Sequence, residues 1–299
     1  MRRRSISLEQ KRYSLYVKVM AGSRIPFFAR LFRSRPIVPV VRLTGAIGIS
    51  TPLTSSITLA NSAKLLERAF TIKQAKAVAI VINSPGGSPV QSHLIYQRIR
   101  ALAAENKKPV IAFVEDVAAS GGYMIACAAD EIVADLSSIV GSIGVISASF
   151  GFDKAIRKLG IDRRVHTAGE HKMSLDPFSP EKAEDVKRLK ALQQDIHAMF
   201  IGLVKKSRGK KLKGPEKTLF SGEFWVGEQA LRYGLVDRLG DMRNVLRERY
   251  GKKVVTPLIA PPSGWFARKT PGVNFADGDW AANLISAFET RALWARYGL

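Results

Sequence analysis

The chain is 299 residues long, enough for one large or two modest domains with a substantial core. Hydrophobic residues make up 46% of it, which argues against a disordered chain, and there is no run of about 18 apolar residues that could span a bilayer. The formal net charge is +22, and the single cysteine, Cys127, excludes an intrachain disulfide framework and reads as a small buried side chain, compatible with a reducing compartment.

The charge is unevenly spread. Residues 1–36 form a basic N-terminal arm with ten Lys/Arg and one acid, Glu9. Met1-Arg2-Arg3-Arg4 resembles the opening of an export signal, but Lys11, Arg12, Lys18 and Arg24 break the apolar core that would have to follow. Two readings of the arm stand side by side: a solvated basic tail, or a segment lying on a membrane surface. The second draws on Ile25, Phe27, Phe28, Leu31 and Phe32 interleaved with Arg24, Arg30, Arg33 and Arg35. A basic excess raises nonspecific affinity for any polyanion, but no nucleic-acid motif accompanies it, so no specific nucleic-acid partner is expected.

After Pro36 the pattern becomes regular. Residues 37–49 read as β-rich, residues 58–70 as a helix with Leu59, Leu65, Leu66 and Ala69 apolar, and residues 77–82 as a strand. The turn Ser84-Pro85-Gly86-Gly87 leads into a helix over 90–105, whose Leu94, Ile95, Ile99 and Leu102 form one face; a strand over 110–114 follows, then a small-residue helix after Ser120 and a short strand over 131–134. Such alternation predicts a mostly parallel sheet with helical cover. Further on, residues 138–146 are punctuated by glycines, 152–159 read as a helix and 163–167 as one more strand. A long charged helix is predicted over 180–206, with Ser179 as N-cap and Pro180 at the first helical position. A short helix over 227–233 precedes Gly234-Leu235-Val236-Asp237, and residues 280–297 offer a last amphipathic helix suited to packing against a partner.

Two strand-to-helix turns carry the chemistry. In Ala119-Ser120-Gly121-Gly122-Tyr123 a serine at a tight turn projects its hydroxyl away from the sheet, the glycines admit close backbone approach, and the free N–H groups of the helix start can face developing negative charge. Asn83-Ser84-Pro85-Gly86-Gly87 is a second turn of this kind, and two such turns can form one oxyanion hole. A serine needs a base to attack at neutral pH. The four histidines, His93, His166, His171 and His197, fit no triad arrangement. A lysine can serve if it is neutral, and burial lowers an ammonium's pKa toward that state; Lys172 lies in a loop ahead of Leu175-Asp176-Pro177-Phe178, but among 47 basic residues its position alone does not single it out. Ser142 reads as the cap of a glycine turn, without a catalytic role.

The ordered set Asn83-Ser84-Pro85-Gly86-Gly87, Ala119-Ser120-Gly121-Gly122-Tyr123, Gly141-Ser142-Ile143-Gly144-Val145 and His171-Lys172 followed by Pro177-Phe178 resembles the signal peptide peptidase A family of serine peptidases, over residues 38–237. The resemblance implies a Clp protease and crotonase-like α/β fold, a spiral of strand-strand-helix units that usually assembles into homo-oligomers. It implies Ser120 as nucleophile and Lys172 as general base, with backbone N–H groups of Gly86 (or Gly87) and Gly121 as oxyanion donors, and no cofactor or metal. Peptide substrates are implied too, hydrophobic ones such as signal-peptide remnants included, bound as an extended strand.

Three segments follow from this reading: the basic arm 1–36, a peptidase domain 37–250 and a C-terminal extension 251–299 of unassigned role. Many family members begin with a transmembrane anchor where this chain has its arm, and some are double-length, with the serine and the lysine in different halves. The expected location is cytoplasmic, with peripheral contact to anionic membrane. Two alternatives remain at this point: an acyl-CoA enzyme of the crotonase type, which also uses two backbone amides on an oxyanion but needs no serine nucleophile, and a noncatalytic scaffold binding membrane or partner through its basic ends.

Overall fold

The structure, a computed structural model, describes residues 35–48, 56–260, 291–292 and 294–298. The arm up to residue 34, and most of the helix expected over 280–297, lie outside the described residues. In chain order the elements are β1 (Val40–Thr44), α1 (Leu59–Phe70), β2 (Val78–Ser84), α2 (Pro89–Asn106), β3 (Val110–Ala119), α3 (Gly121–Ala126), β4 (Glu131–Ala134) and β5 (Ile139–Gly141). They continue with α4 (Asp153–Lys158), α5 (Ala183–Arg208), α6 (Glu216–Leu219), β6 (Phe224–Val226), α7 (Gly227–Arg232), β7 (Arg238–Leu239) and α8 (Met242–Tyr250).

Strands β1, β2, β3, β4 and β7 lie side by side in that order, each pair parallel. Side chains alternate across a strand, so β2 supplies both faces of the sheet. Val78, Ile80 and Ile82 pack with Leu66, Phe70, Ile95 and Ile99 under α1 and α2. Ala79 and Val81 pack with Phe113, Val133, Val245 and Leu246 under α8. Cover on both sides is why residues 77–82 are an unbroken apolar run rather than an alternating one. The helices start where the chain offers caps: the Thr58 hydroxyl accepts from the Asn61 N–H at 3.2 Å, and Ser88 precedes Pro89 at the first turn of α2.

The long strand β3 turns the sheet. Its residues Ile111–Val114 pair with β4, while Val117, Ala118 and Ala119 pair with Ile139, Val140 and Gly141 of β5, which in turn pairs antiparallel with β6. One strand thus serves two neighbours in succession.

Several expectations need correction. The strand runs on past Val114 to Ala119 because its two acids find partners, Glu115 in Arg42 at 2.9 Å and Asp116 in the Asn83 amide. Residues 163–167 form no strand. The long helix starts at Ala183 rather than at Pro180: the Ser179 hydroxyl is spent on the Asp176 carboxylate at 2.8 Å and caps nothing, and Glu184 and Asp185 occupy the first turn. Beyond Gly251 the chain returns to the sheet edge, where Val38 and Val40 donate to the carbonyls of Val255 and Pro257 at 2.9 Å each. The first ten residues or so of the segment set apart as an extension therefore pack with the domain.

Candidate active site

Ser120 stands between β3 and α3 with φ 52° and ψ −121°, a backbone conformation that L-residues other than glycine seldom adopt. Its N–H donates to the Gly141 carbonyl at 2.8 Å, and its own carbonyl accepts from the Met124 N–H at 3.0 Å. Strain of this kind costs on the order of 1–3 kcal/mol and persists only where the surroundings over-determine it. Here they do. A Cβ on Gly86 would lie 2.7 Å from the Ser120 Cβ, and one on Gly122 would lie 2.6 Å from the Ser84 carbonyl oxygen. The start of α3 is therefore pressed against the turn that joins β2 to α2, and the glycines are what permit it. The buried Tyr123 fixes the far side of α3, donating its hydroxyl to the Leu235 carbonyl at 2.8 Å.

A cleft of about 240 Å³ opens over the serine, lined by Gly87, Ser120 and Gly121 together with Pro85, Met124 and Phe200. Of the two glycines named as oxyanion donors in this turn, Gly86 and Gly87, the structure engages the N–H of one and not of the other. The Gly86 N–H donates to the Ser84 hydroxyl at 3.2 Å, whereas Gly87, φ 141°, faces the cleft. The parallel bridge that Gly87 makes with Ile47 uses the flanking groups, Ile47 N–H to Gly86 carbonyl and Ser88 N–H to Ile47 carbonyl, and leaves its own N–H uncommitted among the described residues. The Gly121 N–H, at the first turn of α3, is likewise uncommitted among them. Two free N–H groups beside one hydroxyl can receive the negative charge of a tetrahedral adduct.

The expected base is elsewhere. Lys172 is exposed on the turns that follow Gly169 and does not line either cavity that holds Ser120. The cavity adjoining the first holds Ser120 together with Ser142, Ser221 and His197. Ser142, read from the sequence as a turn cap, is buried at φ 53°, the same unusual region as Ser120, and its Ser-x-Gly setting beside a glycine of φ 119° was the one signal available. His197 comes from α5, a helix whose charged face reads as solvent-exposed; its Nε2 is 2.9 Å from the Ile143 carbonyl. Of the others, His93 stacks on Tyr96, and His166 and His171 are exposed.

Two further buried groups lie on, or at the end of, the helices that carry site residues, without lining either cavity that holds Ser120. Arg208, near the end of α5, is buried and donates to both oxygens of Asp237 at 2.8 and 3.0 Å, tying α5 to the strand edge beside β4. Cys127 is buried, and burial pushes its thiol up to about 12, so it is a packing residue and no nucleophile. Among the described residues no three His, Cys, Asp or Glu side chains converge as a metal site would require.

A serine held at a strained strand-to-helix turn, with two glycine turns offering free N–H groups, is an arrangement that could serve a nucleophile on a parallel α/β sheet. The chain belongs to Peptidase family S49, whose model matches residues 103–255. It is 57% identical over 272 residues to a protein of Brucella abortus named Na(+)/H(+) antiporter NhaA, covering 88% of this chain and 37% of that one. To the chloroplastic serine protease SPPA of Arabidopsis thaliana it is 31% identical over 248 residues, covering 80% of this chain and 35% of that one. The chain thus spans little more than a third of the length of these relatives. A solved structure of a membrane-bound stomatin-specific protease, a lysine-to-alanine mutant in complex with a substrate peptide, aligns over 85% of this chain and 99% of its own at a TM-score of 0.49 and 19% identity. The antiporter name belongs to the longer Brucella protein; among the described residues here no helix is long and apolar enough to cross a membrane.

Proposed function

We propose that this chain is a serine endopeptidase that cleaves peptide bonds through an acyl-enzyme. The observation that carries the reading is the Ser120 hydroxyl over a cleft flanked by the uncommitted N–H groups of Gly87 and Gly121. Ser120 Oγ attacks the substrate carbonyl carbon while its proton passes to the Nζ of Lys172. The carbonyl oxygen takes the negative charge and is held by Gly87 and Gly121. The C–N bond then breaks as Lys172 returns the proton to the leaving amine, and water, deprotonated by the same lysine, releases the acyl group and restores the serine. Membership of a peptidase family supports a peptide substrate and favours this reading over the acyl-CoA enzyme and the scaffold.

Lys172 reaches a serine by assembly in this reading. The segment 146–178 that carries it exposes the large apolar side chains of Ile146, Phe150, Leu159 and Ile161 by 54–78%, which contact with another chain would cover. We assign this face to contact with a second copy, so that the lysine of one subunit meets the serine of another, much as double-length relatives divide the pair between halves. His197 is the second candidate base, because it shares the cavity with Ser120 within one chain. Activity of Lys172→Arg and His197→Gln separates the two, since an arginine stays protonated and cannot accept the serine proton. The arm, with its interleaved aromatic and basic residues, is assigned to reversible contact with anionic membrane from the cytoplasmic side.

A further inference from the structure

The C-terminal residues 294–298 return to the active site. Tyr297 is buried against Val117 and Ala119 of β3, the strand that leads into Ser120, and its ring meets Phe224 edge-on at 5.0 Å. Anchored there, the neighbouring Arg296 lines both cavities that hold Ser120. It is exposed and makes no ion pair among the described residues, while the arginines at 163, 188, 208 and 249 all hold carboxylates. Among the described residues no Asp or Glu lines either cavity, and Arg296 is the one arginine or lysine that does; Pro85, Met124, Ile196 and Phe200 make much of the first cavity apolar, and the second adds Ser142, Ser221 and His197. A guanidinium that lies 5.9 Å from the centroid of the Tyr297 ring, with no carboxylate among the described residues lining the cleft to neutralise it, is matched by a carboxylate arriving with the substrate.

We propose that Arg296 is a specificity-determining residue that receives a carboxylate of the bound peptide beside the bond to be cut. This rests on the peptidase reading of the Ser120 site. Two sources share that chemistry, an Asp or Glu side chain and the free C-terminal α-carboxylate of a short peptide. The two lead to different preferences: internal acidic positions in the first case, cleavage close to a chain end in the second.

The test uses the full chain and fluorogenic peptides in matched pairs. One series exchanges Glu for Gln at each position flanking the scissile bond; another exchanges a C-terminal acid for its amide. The readout is the ratio of kcat/KM within each pair, for the wild type, Arg296→Gln, Arg296→Lys and Arg296→Glu. A hydrogen-bonded charge predicts a wild-type ratio of about tenfold or more in favour of the acid in one series, falling to about one in Arg296→Gln. Arg296→Lys retains part of the preference, and Arg296→Glu reverses it. Equal ratios in the wild type and Arg296→Gln, or equal changes for both members of every pair, overturn the proposal, the latter because it marks the segment as an obstruction rather than a reader of charge. Labelling by a fluorophosphonate separates the levels: a labelled Ser120 with no charge preference defeats this inference alone, whereas an unlabelled, inactive protein defeats the peptidase reading and this inference with it.

Discussion

Replacing Asp237 by asparagine probes how α5 is held against the sheet, and the size of the effect follows from the contacts. The Asp237 carboxylate accepts from both terminal nitrogens of Arg208, from Lys211 at 2.7 Å and from the Ile132 N–H at 2.7 Å, and the Arg208 Nε donates to the Gly234 carbonyl at 2.9 Å. The Arg208 side chain is 1% exposed and that of Asp237 16%. Asparagine keeps the shape but removes the charge and turns an N–H₂ group toward donors, so the guanidinium stays buried without a counter-charge. Breaking a buried pair in this way costs about 3–5 kcal/mol, and the partial exposure of Asp237 puts the expected loss at about 3 kcal/mol. For a domain of this size that lowers Tm by roughly 6–12 °C.

Urea unfolding of the full chain followed by circular dichroism measures it. The double substitution Arg208→Met with Asp237→Leu should recover most of the loss, since an apolar pair of similar volume removes the desolvation penalty as well as the attraction. A loss below about 1 kcal/mol in Asp237→Asn would refute the reasoning, because it would mean that the buried guanidinium needs no partner. The pH dependence has a definite sign. Burial alone would raise the Asp237 carboxyl, but the hydrogen bonds from Arg208 and then Lys211 and Ile132 outweigh it and hold the carboxyl below its usual range. The stabilisation is therefore present above the unfolded value of about 4 and is lost as pH falls through the lower folded value, so the acid limb of the stability curve should be shallower in the asparagine variant.

Three other outcomes are expected. Gly122→Ala would put a Cβ 2.6 Å from a backbone oxygen of β2, so it should cost about 1–3 kcal/mol of stability and lower hydrolysis sharply; wild-type behaviour in both assays would show that α3 has room the packing denies. Lys172→Arg should be nearly as inactive as Lys172→Ala, and an active Lys172→Arg enzyme with an inactive His197→Gln would transfer the role of base to His197. Removing residues 1–36 should abolish co-sedimentation with anionic vesicles at low salt, and the full chain should lose it as salt is raised; equal binding by both forms would return the arm to a solvated tail.

Much of the sheet was legible because it obeys local rules. The apolar run 77–82, the Ser88-Pro89 start of α2 and the Gly-Gly turns each have a near-neighbour cause that one stretch of sequence displays. What escaped depends on contacts between distant residues. Nothing near Ser179 says that its hydroxyl will prefer Asp176 to the helix N-terminus, and nothing near Glu115 says that Arg42 will let the strand run on. That the Gly86 N–H is taken up by the Ser84 hydroxyl while the Gly87 N–H is not depends on a hydrogen bond two residues long that no spacing rule ranks. His197 and Arg296 came into the site from a helix and a C-terminal segment 77 and 176 residues beyond Ser120, through the folding of α5 and Tyr297 onto β3 and its neighbours. The serine itself stood out because an apolar strand, a pair of glycines and a helix start meet around it within a few residues, whereas the lysine is one of many, on a turn with no such pattern.

The most direct test of Ser120 as the nucleophile is the reaction of the intact protein with a fluorophosphonate, read by mass spectrometry of its peptides alongside hydrolysis of a short peptide ester. A single phosphonyl adduct on Ser120 is expected, with loss of both adduct and hydrolysis in Ser120→Ala and no change in its urea unfolding curve. Hydrolysis at the wild-type rate in Ser120→Ala, or an adduct on another serine with Ser120 unmodified, would contradict it.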